Sequence, residues 1–230
     1  MSENASSLVR LLYGMGWHTV IPPVTLTLSP SVFIPVALGF FGLGTGYLIY
    51  GPQEVLGFPK RDARVDQTNG AWGIWMPGFC QFLVGVYLFI GLTWFPVFST
   101  NKALYMAALA FSVYGIHWFA MGWIRLHSAD PRPNGFMSIP FIIVSVLGLT
   151  VFFDAGDWPL GLLFSGLAAV YVAEFFASFK IGVKVGADGH ESVSYGEKGL
   201  GLIHILVGLW LMYLTFATVL NIASGFDLPT

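Results

Sequence analysis

Six side chains able to exchange protons or hydrogen bonds stand inside otherwise apolar stretches of the chain: Gln81, Tyr114, His117, Tyr171, Glu174 and His204. In hydrocarbon each is costly, so a polar or ionisable residue at such depth faces a neighbouring helix or a water-filled cavity. Tyr114 and His117 are three residues apart, as are Tyr171 and Glu174, so each pair shares one face of a helix. A carboxyl and two imidazoles spread over three helices can form a proton-linked polar thread, and they can equally be interhelical hydrogen bonds. His117 falls near the middle of its stretch, where both readings fit. Glu174 lies close enough to the end of its own to reach the interface or cap a partner. His204 stands near the start of the last stretch, where an interfacial position is easy. Gln81 suits interhelical bonding and the lining of a pore alike.

No catalytic constellation accompanies them. The chain has no H-E-x-x-H, no P-loop lysine motif and no G-x-S-x-G elbow, so no enzyme activity is expected. The histidines are His18, His117, His127, His190 and His204, and no two are three or four apart, so neither a helical metal site nor a haem clamp is expected. Cys80 is the single cysteine, which excludes an intramolecular disulfide. No cofactor is called for. The segment Gly182 to Gly196 reads as a solvated connection.

The elements that must position these side chains follow from composition. Of 230 residues, 56% are hydrophobic and 10% charged, with a mean hydropathy of +0.74. A soluble domain carries about 25% charged residues, so this chain could not cover its surface in water. Eight Trp and nine Tyr suit a protein with two membrane–water interfaces. A net charge of −2 leaves no basic face for nucleic acid. Six windows meet the need for roughly 20 apolar residues per span: 32–50, 72–95, 102–125, 137–154, 158–179 and 199–222. The runs are continuous rather than alternating, which favours helices over a barrel. The expected fold is therefore all-α, an integral membrane bundle of six transmembrane helices over residues 31–225. Residues 1–30, broken by Gly14, Gly16, His18, Pro22 and Pro23, read as an interfacial amphipathic arm and not as a cleavable signal, with a seventh span as the rival.

Charge orients the bundle. The loops after the first, third and fifth spans carry Lys60, Arg61, Arg64, Arg125, Arg132, Lys180, Lys184 and Lys198, against Arg10 and Lys102 on the other side. An excess of Lys and Arg marks the cytoplasmic face, so both termini are expected outside the cytoplasm, at the plasma membrane. Glycines such as Gly42 and Gly46 suit close helix packing, while Pro35, Pro77 and Pro140 each fall a few residues inside a window.

Several segments resemble a known family, the acetate uptake transporters or succinate–acetate permeases. Pro35-Val-Ala-Leu-Gly-Phe-Phe-Gly-Leu-Gly44 is similar to the family's N-P-A-P-L-G-L signature and the glycine-spaced helix after it. Gly78-Phe-Cys-Gln-Phe-Leu-Val-Gly85 resembles its G-x-x-Q-x-x-x-G, and Phe111-Ser-Val-Tyr-Gly-Ile-His-Trp118 its F-x-S-Y-G-x-F-W. Ala169-Val-Tyr-Val-Ala-Glu174 is similar to the pattern in the family's last helix, so one central helix is missing relative to the family and one terminal helix is added. Ile34 stands for the signature Asn, Ala37 for its second Pro, Leu88 for a Glu of the second helix and His117 for an aromatic Phe.

The resemblance implies a homo-oligomeric ring, often of six, with a separate path for a small monocarboxylate such as acetate through each protomer. It places Pro35, Leu38 and Gly39 on that path, with Gln81, Tyr114, His117, Tyr171 and Glu174 as its polar candidates. Acetate titrates near the side-chain carboxyls, at about 4, and is anionic at neutral pH. No Lys or Arg lies deep in a span, so passage uses the neutral acid or amide, hydroxyl and helix-terminus donors. His117, ionisable in mild acid, is a candidate for drawing the anion in. Two other readings stay open: a channel for urea or a short amide, which needs no cation, and a non-transporting subunit of a larger membrane complex.

Overall fold

In lipid an apolar run can satisfy its backbone only within itself or in a closed barrel, and here each run becomes a helix. The computed structural model describes residues 35–94, 101, 103–183 and 194–230; the arm expected over 1–30 lies outside them. Among the described residues there are six helices and no strand: α1 Val36–Leu56, α2 Ala63–Trp94, α3 Ala103–Leu126, α4 Pro133–Asp154, α5 Trp158–Ser178 and α6 Tyr195–Ser224. The helices α2 to α6 are each long and apolar enough to cross a membrane. In α1 the glycines and the polar turn Gln53-Glu54 lower the hydropathy.

The helices overrun the expected spans at one end of the bundle. The first continues past 50 to Leu56, and the second starts at Ala63 rather than 72. These extra turns are polar and are stabilised by caps rather than by lipid. Gly57, at φ 65, closes α1 in the left-handed conformation that glycine adopts without strain. Asp62 accepts hydrogen bonds from the amides of Arg64 and Val65 at the start of α2. Lys60, Arg61, Arg64, Arg125, Arg132, Lys180 and Lys198 all lie at this cationic end.

Glycine sets how near the helices come. A methyl group at Gly51 would stand 2.8 Å from the Gly201 carbonyl oxygen, and one at Gly201 would stand 2.6 Å from Cβ of Glu54. The α1–α6 contact is therefore close at its cationic end, and α6, the helix after the family-like α5 segment, runs along α1. Pro77 interrupts α2: it has no N–H to donate, and the helix widens into one π turn over Ile74–Phe79. Gly46 of α1 receives the Pro77 ring. The α4 and α5 helices form a hairpin, and α3 packs on α2. Large apolar side chains such as Ile143, Leu206, Leu209 and Phe216 face outwards, as on a lipid-facing surface.

Candidate functional site

Two chambers enter the helical unit from opposite ends. The outer one, at the end away from the cations, has a volume of about 340 Å³ and takes wall residues from all six helices. Its sides are aliphatic and aromatic, among them Phe40, Leu43, Phe111, Leu163 and Phe164. Polar groups are confined to its floor, Gln81 and Tyr114, and to its mouth, Asn101, Asp157, Thr218, Asn221 and Thr230. Asp157 caps α5 by accepting from the Leu160 amide, and its partial burial raises its carboxyl above the ordinary value. The residues after α6 turn back at this mouth. The Asn221 amide donates to the Leu228 carbonyl and accepts from the Leu228 amide, both at 2.8 Å.

The inner chamber, about 320 Å³, is lined by Glu54, Arg61, Asp66, Arg125, Glu174, Lys180 and Glu197 together with Met121 and Leu200. Seven residues separate the outer-chamber Tyr114 from the inner-chamber Met121 on α3, and seven separate Leu167 from Glu174 on α5. At 1.5 Å per residue the partition between the chambers is about 10 Å thick.

That partition is aromatic and contains the polar thread. The Tyr114 and Tyr171 rings stack with centroids 5.7 Å apart. The Tyr171 hydroxyl lies 3.1 Å from Nδ1 of His117, and Nε2 of His117 lies 4.0 Å from Oε1 of Glu174. Tyr114 shares a hydrogen bond with Ser145 at 2.9 Å. Phe141 closes on His117 and Tyr171, with ring centroids 5.0 Å from each. The three-residue spacing on α3 and on α5 thus turns two like faces toward each other. Among the described residues, two buried side-chain atoms have no hydrogen-bond partner: Oε1 of Gln81 and Nε2 of His117. One stands on the floor of the outer chamber and the other in the partition. A buried polar group without a partner costs roughly 1–3 kcal/mol, so each is a place where a polar group that reached it would gain a bond.

At the cationic end the helix termini are tied together. Glu54 accepts from His204 Nδ1 at 2.7 Å and from Arg125 at 3.3 Å. Arg125 also donates to Gln53 at 3.0 Å, and its guanidinium lies 3.9 Å over the Tyr50 ring. Gln53 accepts from Asn69 at 2.9 Å, and the Tyr50 hydroxyl donates to the Asn69 carbonyl at 3.0 Å. Arg61 joins Asp66 of α2 to Glu197 of α6. Four helices, α1, α2, α3 and α6, therefore converge on one network.

Of the residues singled out from the sequence, Tyr114, His117, Tyr171 and Glu174 come together, and Gln81 sits one chamber outwards, 1% exposed. Pro35 precedes α1 as its cap, and Gly39 packs on the Phe111 ring. Leu38 is 39% exposed, and none of these three lines either chamber. His204 is buried in the helical unit, stacked 4.5 Å from the Tyr47 ring. Glu54, Gln53 and Arg125 were not among the sequence candidates, because they fall at or beyond the expected span ends. A signal for Glu54 was present: Tyr47, Gly51 and Glu54 are spaced four and three apart, one helix face.

These features define a multi-pass helical membrane protein with a chamber entering from each end. Its structure is similar to that described as the bacterial acetate channel SatP, with a TM-score of 0.64 and 18% sequence identity, over 84% of this chain and 94% of that one. No protein-family model and no curated relative matches the chain by sequence. The fold expected from the motifs in α1, α2, α3 and α5 is the fold found.

Proposed function

We propose that the chain conducts small monocarboxylates such as acetate across a membrane, through the outer chamber, the Tyr171–His117–Glu174 partition and the inner chamber. The observation that carries this is that two buried polar atoms without a partner stand at the floor of one chamber and in the partition, Oε1 of Gln81 and Nε2 of His117, with a chamber entering from each end. The likeness to a channel fold supports it. On this reading Gln81 offers its amide to the carboxyl group on the chamber floor. Tyr171 and Tyr114 flank the narrowest part, and His117 and Glu174 exchange a hydrogen bond with the solute as it passes. Arg125, held by Glu54 and Gln53, supplies positive charge on the far side. Seated where water reaches it, this charge attracts the anion without the cost of a bare cation in hydrocarbon.

The same reading sets the cationic end in the cytoplasm of a plasma-membrane protein, with both ends of the six-helix unit outside. It gives residues 1–30 an interfacial place and groups the protomers in a homo-oligomeric ring. A reporter fused after Thr230 then reports the outer side. One observation favours a neutral amide instead: the described residues lining the outer chamber include no Lys or Arg. Proteoliposomes loaded with labelled acetate or labelled urea separate the two. Protein-dependent flux of acetate and not of urea is the expected result, and the reverse overturns the proposal. Flux of neither favours a subunit that does not transport.

A further inference from the structure

The outer chamber is larger than acetate needs, and its walls are of the wrong chemistry for a solute that is mostly carboxylate. Water occupies about 30 Å³ per molecule in the liquid, so 340 Å³ holds on the order of ten water-sized groups, and acetate has four non-hydrogen atoms. The wall runs inward on α5 from Asp157 at the mouth to Leu167 near the floor, about 15 Å at 1.5 Å per residue. Between these ends lie Leu160, Leu163, Phe164, Phe111 and Ala107, none with a side-chain hydrogen-bonding group. Among the described residues lining this chamber, the buried polar atom without a partner, Oε1 of Gln81, is at the floor. A ligand that fits this distribution has a single polar head and an apolar tail.

We propose that the chamber is a binding site for linear monocarboxylic acids longer than acetate, of about four to six carbons, with the carboxyl group at Gln81 and the alkyl chain along Leu163, Phe164 and Phe111. The neutral acid is the form that fits best, since its hydroxyl can donate to Oε1 of Gln81. Each methylene buried along the wall tightens binding about fourfold. A dicarboxylic acid is rejected, because its second carboxyl falls among the apolar walls or reaches the mouth beside Asp157. This inference rests on the reading that monocarboxylates enter the outer chamber, and it adds the feature of the solute by which they are selected.

The test measures dissociation constants at pH 5 for the purified full chain in detergent, by calorimetry, with acetate, propanoate, butanoate, pentanoate and butanedioate. The expected result is a fall of about fourfold per added methylene and weaker binding of butanedioate than of butanoate. In Ala107→Phe, which fills the wall, the series flattens; in Gln81→Leu every member weakens together. Constants that do not fall along the series, or a butanedioate as tight as butanoate, overturn the inference. So does a gradient undiminished in Ala107→Phe, which assigns it to partition into the micelle. Labelled acetate flux is measured on the same preparation. Flux with a flat series overturns this inference alone, and a steep series without flux supports the site while overturning the conducting role.

Discussion

The two chambers are nearly equal in size and opposite in make-up. The outer one is apolar between its mouth and Gln81, whereas the inner one carries Glu54, Arg61, Asp66, Arg125, Glu174, Lys180 and Glu197. The difference teaches where this fold keeps its charges. A charge buried among the apolar walls would face desolvation with nothing to offset it, while at the cationic end Glu54, Arg61 and Arg125 each meet a charged partner from another helix. Glu54 is shared by His204 and Arg125, and Arg61 by Asp66 and Glu197. The inner end is thereby tied across four helices, and the wall of the outer chamber is held by packing.

Breaking the inner network should have the largest effect. Arg125→Met leaves Glu54 and Gln53 short of a donor in a buried site, and removal of one partner of a buried pair costs about 3–5 kcal/mol. Unfolding in detergent should move down accordingly, and Glu54→Met added to it should recover part of the loss. An unchanged midpoint for Arg125→Met would show that the network holds nothing. At the outer end the sign reverses. Gln81→Leu removes an unpartnered polar atom from a buried position, so stability should hold or rise by about 1 kcal/mol, while acetate flux falls about tenfold, the worth of one hydrogen bond. Stability and flux falling together would mean that Gln81 is structural.

The smallest effect is expected outside both chambers. Arg132 bonds Asp130 in the exposed α3–α4 connection and holds its carboxyl down at about 2. A depressed carboxylate contributes only above its ordinary value, about 3.9, and loses that contribution as pH falls through about 2. Arg132→Ala should return the Asp130 titration, read by NMR, toward the ordinary value without altering acetate flux. A change in flux would extend the working part of the inner end to this loop.

Much of this contrast was legible in the residues. The apolar runs had to be helices because lipid leaves the backbone no other partner, and the spacings of Tyr114 with His117 and Tyr171 with Glu174 predicted two inward faces. The tied end was not legible, and the reason is physical. Hydropathy ends a span where polar residues begin, near Gln53, but a helix whose polar turn is capped and cross-bonded continues past that point, as α1 does to Leu56. Leu38, whose motif marks the start of α1, is partly exposed and lines neither chamber. Which cations meet which carboxylates depends on the α1–α6 approach at Gly51 and Gly201, a contact between residues far apart in the chain.

The central claim is that the two chambers belong to one route, and thiol labelling tests it most directly. With buried Cys80 replaced by Ser, Ala107→Cys places a thiol in the outer chamber and Ala177→Cys one in the inner. Labelled acetate flux through proteoliposomes is measured before and after a small, membrane-impermeant methanethiosulfonate. The account predicts that each thiol reacts from a different side of the membrane and that either modification stops the flux. Full modification of both with acetate flux unchanged would contradict it.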